Sequence, residues 1–198
     1  MKKLVGLTGK TGAGKSTVSK YLSEKGAYII DGDIVAREVL RDDESILVKL
    51  VEVFGDILNP DGTLDRKALA RAAFSTPENT DKLNKIIHPA INTAIHTQAD
   101  NAFSDGYRVV VVDAAAIIES GFADKCDLLY VVHAPEEVRK ARIMNRDNIS
   151  ETDAMVRING QKNDDFYISR ADGIIHTYDP YSLEEQLLNL EKELFSEP

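Results

Sequence analysis

The chain has 198 residues, of which 43% are hydrophobic and 29% charged, and this suits one α/β domain with insertions or at most two small domains. A formal net charge of −9 opposes attraction to nucleic acids or anionic lipids, so we expect neither a nucleic-acid partner nor a membrane. The first residues lack the apolar stretch of a signal peptide, and Cys126 has no second cysteine to pair with. We therefore expect a cytoplasmic protein, whose oligomeric state the sequence leaves open.

Short β-branched segments alternate with helix-like stretches along the chain. The strand candidates are residues 4–8, 27–31, 108–113, 128–133 and 173–176. Alternation of this kind predicts an α/β fold, with a parallel sheet flanked by helices. Three helix starts are marked by capping patterns: Thr76 before Pro77, Ser150 with Asp153, and Ser182 with Glu185.

The stretch between the second and third strand candidates is too long for a simple crossover. Its apolar residues at 83, 86, 87, 90, 91, 94 and 95 have the spacing of an amphipathic helix, which Pro89 must kink or divide. We predict a single domain over residues 1–198, with a core of 1–32, 106–137 and 171–198. An inserted helical substrate region covers about 33–105, and a helical lid covers about 138–170.

A glycine-rich motif follows the first strand. Residues 9–16 read GKTGAGKS and satisfy G-x-x-x-x-G-K-[ST], and a helix is predicted over residues 17–25. In such a loop, backbone N–H groups cradle the phosphates of ATP, the lysine reaches the β and γ oxygens, and the hydroxyl ligates Mg²⁺. The candidate nucleotide ligands are Gly12, Ala13, Gly14, Lys15, Ser16 and Thr17; the alternative is a plain strand–helix turn.

Two aspartates at strand ends are candidates for the chemistry. Asp33 follows the second strand, where it can orient an acceptor hydroxyl and take its proton; the alternative is that Asp31 or Asp33 only caps the next helix. Asp113 ends the third strand and can hold Mg²⁺ directly or through water, or simply belong to a turn or cap. A phosphate loop with such a base predicts a kinase for a small-molecule acceptor.

Arg139, Arg142 and Arg146 lie on one face of the helix after the fourth strand. We predict that Arg142 and Arg146 close on ATP as part of a lid and neutralise the transferring phosphoryl group, whereas surface salt bridges are the alternative. His88 is equally compatible with substrate contact and with a structural role. A guanine-binding Asn-Lys-x-Asp string is missing, since residues 161–164 read QKND, and this disfavours a GTPase-like switch.

The ordered motifs resemble the dephospho-coenzyme A kinase family over nearly the whole chain. The resemblance rests on residues 6–9 before the phosphate loop, 31–33 (DGD), 64–66 (LDR), 83–89 (LNKIIHP), Glu119, the Arg142/Arg146 pair, Gln161 and 171–172. It implies a P-loop kinase fold and ATP-dependent phosphorylation of the ribose 3′-hydroxyl of dephospho-coenzyme A, the last step of coenzyme A biosynthesis. It further implies that Asp33 is the base, that Lys15 and Ser16 bind phosphate and magnesium, and that the inserted region, with Arg66, meets the substrate.

The sequence departs from the family pattern at several positions. Lys10 replaces a usual glycine, Arg139 a usual glutamine and Thr177 a usual asparagine, and residues 114–118 differ from the usual segment. The changed segment leaves the acceptor fit open. The alternatives are a kinase for another small molecule (nucleoside, nucleotide, shikimate or gluconate) and a non-enzymatic nucleotide switch.

Overall fold

The structure is a computed structural model that describes residues Met1–Ser196. Its strands are β1 (Lys3–Thr8), β2 (Tyr28–Asp31), β3 (Val109–Asp113), β4 (Leu128–His133) and β5 (Gly173–His176). Its helices are α1 (Lys15–Glu24), α2 (Gly32–Asp42), α3 (Glu44–Phe54), α4 (Arg66–Ala73), α5 (Pro77–Ser104), α6 (Glu136–Asp147), α7 (Glu151–Asn159), α8 (Asp164–Ile168) and α9 (Leu183–Phe195), with a short 3₁₀ helix at Phe122–Lys125. The chain divides into two compact units: the first unit comprises Met1–Ile30 and the residues from Ala99 on, and the second unit is Asp31–Gln98.

The first unit is built on a five-stranded sheet in the order β2-β3-β1-β4-β5. The central strand β1 pairs in parallel with β3 and β4, and β4 pairs in parallel with β5. Four consecutive valines make β3 buried on both faces, which is typical of a strand covered by helices. Because the paired strands are parallel, their carboxyl ends share one edge of the sheet, and this edge carries the phosphate loop, Asp113 and Thr177.

Helices α1 and α9 pack on the sheet and complete the main core. Val18 and Leu22 of α1 and Leu187, Leu190 and Leu194 of α9 are buried among the β-strand residues. At full burial each such side chain contributes about 1.5–3 kcal/mol. A small separate core of Ile143, Ala154 and Ile158 joins α6 to α7.

The second unit has a core of its own, formed by α3, α4 and the first part of α5. Ile46, Leu50, Ile57, Leu69, Ala73 and Leu83 are its buried members. Asp43 and Asp65 cap α3 and α4, because each carboxylate accepts hydrogen bonds from two N–H groups in the first turn. This part of the chain therefore stabilises itself with its own apolar cluster and caps.

The predicted α/β class and parallel sheet are confirmed, as are the helix starts at Thr76–Pro77, Ser150 and Ser182. Of the two outcomes expected for Pro89, a kink or a division of its helix, division is excluded, because α5 continues from Pro77 to Ser104. A proline removes one backbone hydrogen bond, and the buried apolar face of a helix this long can outweigh that loss. Within Met1–Ser196, no helix has the length and apolarity needed to cross a membrane.

Candidate active site

The phosphate loop connects β1 to α1 at the carboxyl edge of the sheet. Gly14 precedes α1 with φ of 100°, a left-handed conformation that favours glycine. No side chain within the described residues caps α1. The amino end of the helix therefore presents backbone N–H groups and a positive dipole end to an anionic ligand.

Helix α6 lies directly against the middle of this loop. A Cβ atom at Gly12, whose φ is 78°, would lie 2.7 Å from the backbone oxygen of Arg139. Any other residue would clash with backbone there. The close approach fixes the loop against α6 and explains why the sequence needs glycine at this position.

Lys15 is the first residue of α1, and its ammonium lies over the loop. Its Nζ donates to the carbonyl oxygen of Gly9 over 3.3 Å, and the side chain is half-buried. The carbonyl thus holds the cation against the first residue of the loop. Ser16 and Thr17, the next two residues, are exposed at the same end of the helix.

Asp113 ends β3 and contacts α1. Its carboxylate accepts a hydrogen bond of 2.5 Å from the hydroxyl of Ser19, which also donates to the Lys15 carbonyl over 3.2 Å. Ser19 is one helical turn beyond Ser16, so the carboxylate lies along the first turns of α1. Ser19 was not predicted as a site residue, although its position four residues after Lys15 places it one turn along the helix.

Arg142 of α6 binds the second half of the phosphate loop. Its Nη1 donates to the carbonyl oxygens of Gly12 and Ala13, both at 3.3 Å, and to the hydroxyl of Thr177 at 2.8 Å. Its Nη2 donates to the Thr177 carbonyl, and the Thr177 hydroxyl donates to the Ala13 carbonyl over 2.6 Å. Arg142 and Thr177 thus clamp the loop to the end of β5.

The other two arginines of α6 have different surroundings. Arg139 is 1% exposed, and its Nε donates to the carbonyl of Ala134. Arg146 is exposed and forms a two-point ion pair with Asp147, with distances of 2.8 and 2.9 Å. The pair holds the pKa of Asp147 at about 2, because Arg146 bonds and attracts the carboxylate and Arg157 adds a second positive charge. The nucleotide role of Arg146 stays a prediction.

The second unit carries the acceptor candidates. Asp31 is the cap of α2, since its carboxylate accepts from the N–H groups of Asp33 and Ile34, both at 2.9 Å. The Asp33 carboxylate is exposed in the first turn of this helix, where the dipole favours negative charge. Of the two capping alternatives, the structure selects Asp31, and Asp33 is left for another role.

Two arginines lie beside Asp33. Arg37 donates from Nε to the Asp33 carbonyl over 2.9 Å, and Arg66 donates from Nη2 to the Arg37 carbonyl over 3.3 Å. Arg37 was not predicted as a site residue. In the sequence, only its position four residues after Asp33 indicated that the two residues share a helix face. His88 lies half-buried in α5, and burial lowers its pKa, so the imidazole is neutral at pH 7.

The structure therefore collects Gly12, Ala13, Gly14, Lys15, Ser16, Thr17, Asp113 and Arg142 at one edge of the sheet in the first unit. Asp33 and Arg66 are joined through Arg37 in the second unit. Thr177, which the sequence marked only as a departure, is a direct partner of Arg142 and the loop.

Known proteins were compared with the chain. The family model for dephospho-CoA kinase matches residues 3–179. A dephospho-CoA kinase of Corynebacterium jeikeium is 43% identical over 184 residues, which cover 93% of each chain.

Two solved structures have the same fold. One, from Thermus thermophilus, has a TM-score of 0.82 at 28% identity and covers 98% of this chain and 99% of its own. Another, a dephospho-CoA kinase from Campylobacter jejuni, has a TM-score of 0.70 at 25% identity and covers 98% of each chain. With a phosphate loop opening α1 and a family match across almost the whole length, the chain belongs to the dephospho-CoA kinase family.

Proposed function

We propose that this chain transfers the γ-phosphoryl group of ATP to the ribose 3′-hydroxyl of dephospho-coenzyme A, giving coenzyme A and ADP. The observation that carries the proposal is the phosphate loop, with Lys15 folded over it and α1 opening behind it, in a chain of the dephospho-CoA kinase family. This is the last step of coenzyme A biosynthesis. Because the reaction consumes ATP, it needs the cellular ATP pool, and we therefore place the protein in the cytoplasm.

The nucleotide is held by the phosphate loop and its clamp. The N–H groups of residues 12–17 and the dipole of α1 attract the phosphates, and Lys15 exchanges its Gly9 carbonyl partner for the β and γ oxygens. Arg142 lies on the loop carbonyls, within reach of the same phosphates. As charge reorganises during transfer, these cations stabilise the transition state more than the ground state. Arg146 adds a further cation if it leaves Asp147 when the lid closes.

The acceptor is activated by Asp33. Its carboxylate takes the proton of the 3′-hydroxyl as the hydroxyl oxygen bonds to the γ-phosphorus and the bond to the β-phosphate oxygen of ADP breaks. Two findings support this role: Asp31 already caps α2, and Asp33 is exposed at the helix start.

The arginines next to Asp33 suit the rest of this acceptor. Dephospho-coenzyme A carries a diphosphate on the same ribose as the reacting hydroxyl. When that hydroxyl is bound next to its base, the negative diphosphate is therefore close by and needs cations to bind it. Arg37 donates to the Asp33 carbonyl, Arg66 donates to the Arg37 carbonyl, and both arginines are exposed. We assign them to the diphosphate, because a planar guanidinium binds phosphate oxygens in pairs. His88, neutral at pH 7, is assigned to an uncharged part of the substrate.

Magnesium fits the donors at the carboxyl edge of the sheet. Ser16 offers a hydroxyl and Asp113 a carboxylate that Ser19 already orients. Mg²⁺ prefers oxygen ligands and is usually held by one or two protein groups, with phosphates and water supplying the rest. When bound, Mg²⁺ supplies charge neutralisation on the β and γ oxygens.

A panel of acceptors tests the substrate assignment. ADP release should be steady with dephospho-coenzyme A and low with adenosine, nucleoside monophosphates, shikimate or gluconate. If another acceptor were turned over faster, that acceptor would be assigned as the substrate. If ATP bound but no acceptor were turned over, a non-enzymatic nucleotide switch would be favoured.

Asp33→Asn tests the base. The amide keeps size and hydrogen-bonding reach but cannot take the proton, so kcat should fall about 10²- to 10⁴-fold while ATP and dephospho-coenzyme A still bind. Asp43→Asn is the matched control: it makes the same change at the cap of α3, where Asn caps as well as Asp, and should leave kcat and the melting temperature unchanged. An active, equally stable Asp33→Asn would remove Asp33 from the mechanism.

A further inference from the structure

We propose that Lys10 and Asp164 are positioning residues that hold the first half of the phosphate loop, residues 9–12, in the conformation that binds ATP. Neither Lys10 nor Asp164 is among the residues assigned above to bind phosphate. The proposal rests on the proposed function only in taking ATP as the ligand.

The ion pair between these residues joins the loop to α8. Lys10 Nζ lies 3.1 Å from Asp164 Oδ1, and the Lys10 side chain is only 13% exposed. The next loop residue is tied to the same segment, because Thr11 N–H donates to Gln161 Oε1 over 2.8 Å. Two consecutive residues of the loop are therefore anchored to residues 161–164, which follow the end of α7 and include the first residue of α8.

Asp164 is held in its ionised form by its surroundings. Burial alone would raise the pKa of this carboxyl, but the hydrogen bond and charge of Lys10, with smaller contributions from His133 and Arg139, leave the pKa below its usual range. His133 Nε2 lies 3.7 Å from Asp164 Oδ2. The loop ammonium thus faces a carboxylate that stays charged at neutral pH.

A small cavity behind the loop shows that this cluster is built into the fold. Lys10, His133, Arg139, Asp164 and Tyr167 line it together. Arg139 is 1% exposed, and within Met1–Ser196 its Nη1 has no hydrogen-bond partner. A buried guanidinium is costly unless negative charge compensates it, and Asp164 is the carboxylate that shares its cavity. Losing Asp164 would leave the cations Lys10 and Arg139 without the carboxylate that lines the same cavity.

The competing role for Lys10 is direct binding of phosphate as a second loop lysine. The geometry opposes it, because the ammonium is directed to α8 and mostly buried. The two roles make opposite forecasts for Asp164. If Lys10 binds phosphate, removing Asp164 frees the lysine and should improve the KM for ATP. If the ion pair positions the loop, removing either partner should weaken ATP use equally.

A double-mutant cycle with Lys10→Met, Asp164→Asn and the double variant separates these forecasts. We expect each single variant to lower kcat/KM for ATP by about tenfold, within the roughly 10²-fold that a 1 Å misplacement can cause. The double variant should be no worse than either single one, since each change breaks the same contact. The KM for dephospho-coenzyme A should stay unchanged. Lys25→Met is the matched control, because it breaks the Lys25–Glu191 pair of 2.8 Å at the far end of α1 and should leave both KM values unchanged.

Three results would overturn the proposal. A lower KM for ATP in Asp164→Asn, or additive losses in the cycle, would make Lys10 a phosphate ligand. Lower melting temperatures with unchanged kinetics would make the pair purely structural. If Lys10→Met fails to fold, Asp164→Asn carries the test, because Asp164 is 42% exposed and the amide keeps the size of its side chain. The dissociation constant for ATP is measured in parallel for every variant. If the chain were inactive on dephospho-coenzyme A, the proposed function would be refuted, but the ATP dissociation constants would still test the role of the ion pair in the loop.

Discussion

Thr177→Val removes one hydroxyl from the clamp on the phosphate loop and keeps the shape of the side chain. The hydroxyl accepts from Arg142 Nη1 at 2.8 Å and donates to the Ala13 carbonyl at 2.6 Å. Arg142 keeps the Thr177 carbonyl and two longer bonds of 3.3 Å to Gly12 and Ala13. The variant therefore loosens the clamp without removing it.

The expected loss of stability follows from these two hydrogen bonds. A bond from a charged donor contributes about 1.5–3 kcal/mol and a neutral one about 0.5–1.5 kcal/mol. Both groups are part-buried, so water replaces some of what is lost, and we expect about 2 kcal/mol. For a chain of this size that corresponds to a fall of about 4–8 °C in Tm. The KM for ATP should rise, because Ala13 is part of the cradle.

Thermal unfolding and steady-state kinetics on the same samples check this prediction. Thr177→Ser keeps the hydroxyl and should behave almost as the unmodified chain does. Thr97→Val makes the same change on α5, where the exposed hydroxyl bonds only to the Thr93 carbonyl, and should hardly move Tm. If Thr177→Val had the same Tm as the unmodified chain, or if Thr177→Ser lowered Tm as much as Thr177→Val, the hydroxyl would not be the group that clamps the loop.

Three further predictions concern single side chains. Lys15→Ala should lower turnover by about 10²- to 10³-fold while the fold survives, and near-normal turnover in a well-folded sample would refute its phosphate role. Arg142→Ala should lower kcat more than it raises the KM for ATP, and should also lower Tm; a change in KM alone would make it a ground-state contact. Burial, with the charge of Asp127, raises the pKa of Cys126 to about 12, so at pH 8 its thiol should react with a disulfide reagent far more slowly in the native than in the unfolded chain, and equal rates would contradict this.

Much of the fold was predictable because it depends on local patterns. The valines of β3, the spacing of the phosphate loop and the caps at Ser150 and Ser182 act over a few residues, and the structure contains them. Boundaries were less accurate: α1 begins at Lys15, two residues before the predicted start, because the loop glycines already turn the chain into the helix. Helix α5 continues past Pro89, and the local rule for proline could not choose between a kink and a division, because packing over the whole helix decides its length.

Partners within the site were harder to predict because they are distant in the chain. Arg142 meets Thr177 across 35 residues, and Lys10 meets Asp164 across an even longer separation. Helical spacing placed Arg139, Arg142 and Arg146 on one face, but it could not tell that Arg139 is buried and that Arg146 pairs with Asp147. Helical periodicity predicts which side chains share a face of the helix, whereas their burial and their ion-pair partners depend on the elements packed against that face.

Within the phosphate loop, Ala13 N–H donates to the Lys10 carbonyl over 3.0 Å, but N–H groups that bind phosphate cannot also hold the loop in place. In this chain other elements do so: Gln161 and Asp164 hold residues 10 and 11, and Arg142 with Thr177 holds the carbonyls of residues 12 and 13. Because the loop is already ordered, less conformational freedom is lost when ATP binds, and the dipoles are aligned before charge develops. Weakening either tether should therefore affect the use of ATP before it affects the acceptor, since Asp33, Arg37 and Arg66 are held together by contacts of their own.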